Sequence, residues 1–210
     1  MEGGKALSVF SYARAQGWAC LLLDYSGCGS SEGGFEDGTL DIWRDDVLAL
    51  IAHVWPQGEV VPIGSSMGGW LALLVALAMP ERAAGLVGIA AAPDFTRWGF
   101  TDAHKAELRD QGRIVEPSDY GEDYVTTLGF WNSGEAHLLL ESEIALDCPV
   151  RFLHGQADSV VPWEIPLRAA EKLRSADVQT LLVKDGDHRL SRDADIALLL
   201  GLIEGLLETP

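Results

Sequence analysis

The chain has 210 residues, an apolar fraction of 48%, and a formal net charge of −17. That length suits one domain with a substantial core, and the apolar content argues against disorder. The charge disfavours nucleic acid and anionic membrane surfaces, which carry the same sign.

The chain reads as alternating helices and strands. Ala6, Val9, Phe10 and Ala13 share one helical face, and Gly17 stops that helix. Ala19 to Leu23 is an apolar run suited to a buried strand, followed by the loop SGCGSSEGG. Leu40, Trp43, Val47, Leu50, Ile51 and Val54 repeat at helical spacing. Val60 to Ile63 predicts a strand, Gly68 to Met79 a helix closed by Pro80, and Leu86 to Ala90 another strand. Between Phe95 and Asp147 the pattern weakens: Asp102 to Gln111 reads as helix, Gly112 to Phe130 as mixed, and Glu135 to Leu140 as a short helix. Regular alternation resumes with strand Val150 to Leu153, a helix near Glu164 to Leu173, strand Val178 to Val183, and a helix near Asp193 to Leu207. Strands alternating with helices predict an α/β fold whose mostly parallel sheet is covered on both faces. The expected organisation is one domain, with core 1–94 and 148–210 and a cap-like insertion at 95–147.

The three cysteines, Cys20, Cys28 and Cys148, are too few and too scattered for a disulfide framework or a zinc site, and point to a reducing compartment. The N-terminus shows no signal peptide, and the longest apolar stretch, Trp70 to Met79, is too short to cross a bilayer. No metal-ligand spacing or phosphate loop is present in the sequence, so no cofactor or metal is expected.

Chemistry enters at Gly64-Ser65-Ser66-Met67-Gly68, a G-x-S-x-G motif between a predicted strand and a predicted helix. Glycines let the chain turn sharply beside the serine, which lifts its oxygen above the sheet edge. Ser65 is excluded, because Ile63 stands where its first glycine should be. The next N–H, that of Met67, opens a helix and suits a developing oxyanion. A serine hydroxyl needs a base, and the acid and base should follow in that order after later strands. Asp158 lies in HGQADSVVP and His188 in KDGDH, each just beyond a predicted strand. A histidine base held in the right tautomer by Asp158 completes the arrangement. His154 precedes the Gly155 turn and is expected to support the Asp158 loop. Asp187 is expected to serve its own loop, while His53, His104 and His137 lie elsewhere. Asp24 and its Gly/Ser loop are read as a turn whose side chains cap backbone groups, with a wall of the pocket as the alternative. Trp43 and Trp70 should face the core, and Trp98, Trp131 and Trp163 could line an acyl pocket.

Several stretches together resemble a known family: DYSGCGSSEG at 24–33, Trp43-Arg44-x-Asp46-Val47, GSSMGGW at 64–70, HGQADSVVPW at 154–163 and DHRLS at 187–191. The chain is similar to the mitochondrial abhydrolase-domain thioesterases, which depalmitoylate proteins and hydrolyse acyl glucuronides, and to their bacterial homologues. The resemblance implies the α/β-hydrolase fold, a Ser66-Asp158-His188 triad, and ester or thioester hydrolysis of a small-molecule or acyl-protein substrate. It also implies a location in the bacterial cytoplasm, or in the mitochondrion of a eukaryotic source. The alternatives are a peptidase or carbon–carbon hydrolase on the same fold, or a non-catalytic binding protein.

Two departures from the family pattern set further expectations. The family fold has strands before the first helix seen here, one of which feeds the second oxyanion donor. The opening Met1-Glu2-Gly3-Gly4-Lys5-Ala6 resembles the region just after that loop, so an N-terminally truncated and impaired chain is expected. Pro62 also stands where the strand before the serine should donate a ladder hydrogen bond.

Overall fold

The computed structural model describes residues 4–117 and 123–208. Met1 to Gly3 of the opening segment, and residues 118–122 of the stretch read as mixed, lie outside them.

In chain order the elements are α1 (Gly4–Gln16), α2 (Leu40–Val54), β1 (Ile63–Ser65), α3 (Met67–Ala78), β2 (Leu86–Ile89), α4 (Phe95–Trp98), α5 (Asp102–Gln111), β3 (Arg113–Glu116), β4 (Tyr124–Thr127), α6 (Leu128–Ala136), β5 (Val150–Gly155), α7 (Ile165–Lys172), β6 (Val178–Val183) and α8 (Asp193–Leu207). The chain divides into two compact units. The first joins residues 1–23, 55–93 and 139–210, and the second joins 24–54 to 94–138.

The first unit carries a four-stranded sheet in the order β1-β2-β5-β6, with every neighbouring pair parallel. Successive side chains of a strand point to opposite faces. Val87 and Ile89 of β2 and Leu153 of β5 therefore share a face, where Val9 of α1 and Leu199, Ile203 and Leu206 of α8 pack against them. Leu86, Gly88 and Phe152 point the other way, and a Cβ on Gly88 would sit 2.7 Å from the Phe152 ring. Helix α3 packs along β1 and β2, and α7 along β6. α3 is apolar all round, and Trp70 through Ala76 are all buried, as a helix enclosed by its neighbours requires.

Three readings of the sequence need correction. Ala19 to Leu23 forms no strand. Trp18, Cys20 and Leu22 are half-buried while Ala19 and Leu21 are exposed, but Leu23 is half-buried beside Leu22. A strand also needs a laddered neighbour, and none of the described strands pairs with it. The strand read at Val60 to Ile63 begins later, at Ile63. Pro62 cannot donate, and the ladder breaks there: Val60 makes only an isolated bridge to Ala83, although the Pro62 carbonyl still accepts from the Val87 N–H at 3.0 Å. The helix read at Glu135 to Leu140 instead runs from Leu128 to Ala136, because the Thr127 hydroxyl caps it by accepting from the Phe130 N–H at 3.1 Å.

The second unit is organised by side chains. Trp43 of α2 is 1% exposed and donates from its indole N–H to the Ser26 carbonyl at 3.0 Å. Tyr25, Phe35 and Phe130 place their rings 5.7–5.8 Å from it, and Phe95 stacks on Phe130 at 5.6 Å. These contacts draw residues 24–54 together with residues 94–138. The mixed stretch contains an antiparallel pairing of β3 with β4. Among the described residues no helix is long and apolar enough to cross a membrane.

Candidate active site

All four strands of the sheet run the same way, so their C-terminal ends lie on one edge. Open α/β sheets bind ligands outside that edge. Ser66 directly follows β1, Asp158 comes three residues after β5, and His188 five residues after β6.

Ser66 has φ 56° and ψ −122°, a conformation that a residue with a side chain rarely adopts. The surrounding backbone holds it there. Its N–H donates to the Ile89 carbonyl at 2.9 Å, and its carbonyl accepts from the N–H groups of Gly69 at 2.9 Å and Ala92 at 3.1 Å. The turn is tight enough that a Cβ on Gly64 would lie 1.9 Å from the Gly68 carbonyl oxygen. Only glycine fits that close approach. The Met67 N–H is the first of α3, among the donors a helix cannot satisfy within itself.

The Asp158 and His188 loops are stitched to each other by backbone. Gln156 N–H donates to the Val183 carbonyl at 2.8 Å, and Ala157 N–H to the Gly186 carbonyl at 2.9 Å. A Cβ on Gly155 would meet that Gly186 oxygen at 2.1 Å, so glycine is again required.

The Asp158 side chain is fully buried, and a buried carboxylate needs donors on both oxygens. Oδ1 accepts from the N–H groups of Val160 at 2.8 Å and Val161 at 2.9 Å. Oδ2 lies 2.8 Å from His188 Nδ1. On the far side of that imidazole, Nε2 lies 3.1 Å from Ser66 Oγ. An ionised carboxylate only accepts, so the proton sits on Nδ1 and Nε2 faces the serine as an acceptor. The fold thus brings Ser66, Asp158 and His188 into one hydrogen-bonded series, with His188 about a quarter exposed at 26%.

The neighbours divide by role. Asp187 accepts from the Leu190 N–H at 2.9 Å and so shapes its own loop. His154 is fully buried, with Nε2 3.1 Å from the Val161 carbonyl oxygen. Lys5 was not singled out from the sequence: its ammonium donates to the Arg189 carbonyl and is half-buried. Burial pulls its pKa below the ordinary lysine value. No local pattern marks this lysine, because its partner lies 184 positions away.

The other expectations fall in the second unit. Asp24 caps its loop, accepting from the Ser30 N–H at 3.2 Å. His53 is exposed at the end of α2, and His104 lies on α5. His137 Nε2 lies 2.6 Å from Asp41 Oδ1, and the Ser133 hydroxyl donates to Asp41 Oδ2, also at 2.6 Å. In that cluster the serine proton goes to the carboxylate and not to the imidazole.

Comparison with known proteins adds a family to this geometry. Residues 5–201 match the model of the alpha/beta hydrolase family. Palmitoyl-protein thioesterase ABHD10, mitochondrial, of Homo sapiens is 40% identical over 213 residues, covering 99% of this chain and 69% of that protein. Among solved structures, a putative hydrolase from Agrobacterium vitis S4 superposes with a TM-score of 0.92 at 38% identity, covering 99% of this chain and 84% of that one. Alpha/beta hydrolase domain-containing protein 10 from mouse gives a TM-score of 0.90 at 39% identity, covering 99% and 85%. With its parallel sheet and the loops at its C-terminal edge, the chain belongs to the alpha/beta hydrolase family.

Proposed function

We propose that the chain hydrolyses carboxylic esters and thioesters through an acyl-enzyme on Ser66. The observation that carries this reading is the unbroken series Asp158 Oδ2, His188 Nδ1, His188 Nε2 and Ser66 Oγ, with spacings of 2.8 and 3.1 Å. His188 takes the serine proton as the oxygen attacks the acyl carbonyl. Asp158 keeps the imidazole in the accepting tautomer and stabilises the imidazolium that forms. The Met67 N–H donates to the oxyanion of the tetrahedral intermediate. His188 then protonates the departing alcohol or thiol. Water, deprotonated by the same nitrogen, releases the acid and restores Ser66. Nothing in this cycle calls for a cofactor.

The thioester part rests on relatives that are named palmitoyl-protein thioesterases and match nearly all of this chain. An acylated cysteine thiol is then the leaving group, and a small acyl ester offers the same carbonyl.

A fluorophosphonate probe should label the parent at Ser66 and leave Ser66→Ala unlabelled. His188→Ala should slow labelling and the hydrolysis of p-nitrophenyl esters and acyl thioesters by roughly 10⁴-fold or more. Equal labelling of parent and His188→Ala sinks the assignment of the base. Labelling that persists in Ser66→Ala sinks the nucleophile.

A further inference from the structure

The buried imidazole of His154 is left unused by this cycle, and its surroundings define its protonation. It lies on β5, four residues before Asp158, and its side chain is fully buried. Nε2 faces two acceptors, the Val161 carbonyl oxygen at 3.1 Å and Asp158 Oδ2 at 3.4 Å. Nδ1 is buried with no hydrogen-bond partner. If Nδ1 carried the proton, a buried donor would be orphaned and the Nε2 lone pair would face two oxygens. Both arrangements are costly. A proton on Nε2 alone satisfies every group except a bare, weakly demanding lone pair. Burial also pulls the His154 pKa below the ordinary histidine value, which favours the neutral ring.

We propose that His154 is a positioning residue: a neutral Nε2–H shared between the Val161 carbonyl and Asp158 Oδ2, which fixes the carboxylate against His188. The backbone of Val161 is held through both of its polar groups. Its N–H donates to Asp158 Oδ1 at 2.9 Å, and its carbonyl accepts from His154. Two N–H groups thus hold Oδ1, while His154 from strand β5 and His188 from the loop after β6 approach Oδ2. The carboxylate cannot rotate without breaking these contacts together. The orientation of the His188 ring, and with it the direction of its Nε2 lone pair toward Ser66, follows from that hold. This inference rests on the Ser66-His188-Asp158 reading for its effect on turnover, but not for its claim about the ring.

Two variants and one spectroscopic measurement test it. His154→Gln can present a side-chain N–H near the Nε2 position, whereas His154→Leu fills the space without a donor. His154→Leu should lower kcat for p-nitrophenyl ester hydrolysis roughly 10- to 100-fold with KM little changed, as expected when a catalytic group is misplaced. His154→Gln should recover most of that loss. Equal impairment of the two variants, or full kcat in a cooperatively melting His154→Leu, overturns the proposal. Nitrogen-15 NMR of the parent reads the ring directly. A neutral Nε2–H tautomer at pH 6 supports the proposal, and an Nδ1–H tautomer or a charged ring overturns it even if His154→Leu fails to fold. A parent that shows the Nε2–H tautomer but is never labelled at Ser66 refutes the proposed hydrolytic reading and leaves the ring assignment standing.

Discussion

In the sheet-bearing unit, Ser66, Asp158 and His188 stand on loops tied by main-chain bonds, such as Ser66 N–H to the Ile89 carbonyl and Ala157 N–H to the Gly186 carbonyl. In the second unit the chain is gathered around Trp43, whose ring meets those of Tyr25, Phe35 and Phe130. Backbone bonds of the first kind set positions to within tenths of an ångström and tolerate few insertions. Aromatic packing of the second kind depends on burial, which is not directional, and can accept other shapes of similar volume. The 3.1 Å contact between His188 and Ser66 is accordingly found on the backbone-held loops.

The comparison can be broken most forcefully at its aromatic centre. Trp43→Ala empties a nearly fully buried site, and should cost about 3–5 kcal/mol of unfolding free energy, measured as a lower urea midpoint. A midpoint close to that of the parent would show that the ring cluster is not what gathers the second unit.

Gly155→Ala probes the backbone-held side. The new Cβ would lie 2.1 Å from the Gly186 oxygen, so the Asp158 and His188 loops must part. Fluorophosphonate labelling at Ser66 should slow roughly 100-fold, the scale of an ångström-sized misplacement. Unchanged labelling would mean that the loops adapt and that the tight approach is incidental.

Asp195 sharpens the comparison through pH. Its buried carboxylate accepts a paired contact from Arg192 at 2.8 Å on each oxygen, which holds its pKa below the ordinary aspartate value. The unfolded chain therefore takes up this proton at a higher pH than the folded chain does. The stabilisation is complete above the ordinary carboxylate range, near pH ~4, and fades as pH falls through the lower folded value. Asp195→Asn should cost about 1.5–3 kcal/mol at pH 7 and progressively less below pH ~4, seen as converging thermal midpoints of parent and variant. Parallel midpoints across that range would contradict the assignment.

The smallest effect belongs to the pair of Arg113 and Glu36 in the second unit, 3.3 Å apart with both side chains more than half exposed. Glu36→Gln should change stability by less than ~1 kcal/mol, and less again at high salt. A larger loss in a urea titration would give surface charge a role in this unit that burial alone does not assign.

Much of the sheet-bearing unit was legible in the sequence because its signals are local. The G-x-S-x-G turn follows from the glycine that a 1.9 Å approach demands. Helix α2 runs from Leu40 to Val54, as its apolar spacing predicts, and β6 spans Val178–Val183 as read. That Ser66, Asp158 and His188 each follow a strand, in that order, was equally visible. Where signals competed the reading slipped. Glu135 to Leu140 has helical composition, but the Thr127 cap starts the helix earlier and it ends at Ala136.

The sequence by itself determined which residues could form strands, turns and helices, and which side chains had the chemistry to act, because propensity, glycine placement and residue type are properties of short stretches. Only the tertiary structure decided which stretches found partners. Ala19 to Leu23 has a strand's composition yet pairs with no described strand, since a ladder needs a second backbone alongside. The hold of Lys5 on the Arg189 carbonyl and the two oxygens facing His154 Nε2 belong to the same class. They are meetings of groups set by packing, to which periodicity along the chain is blind.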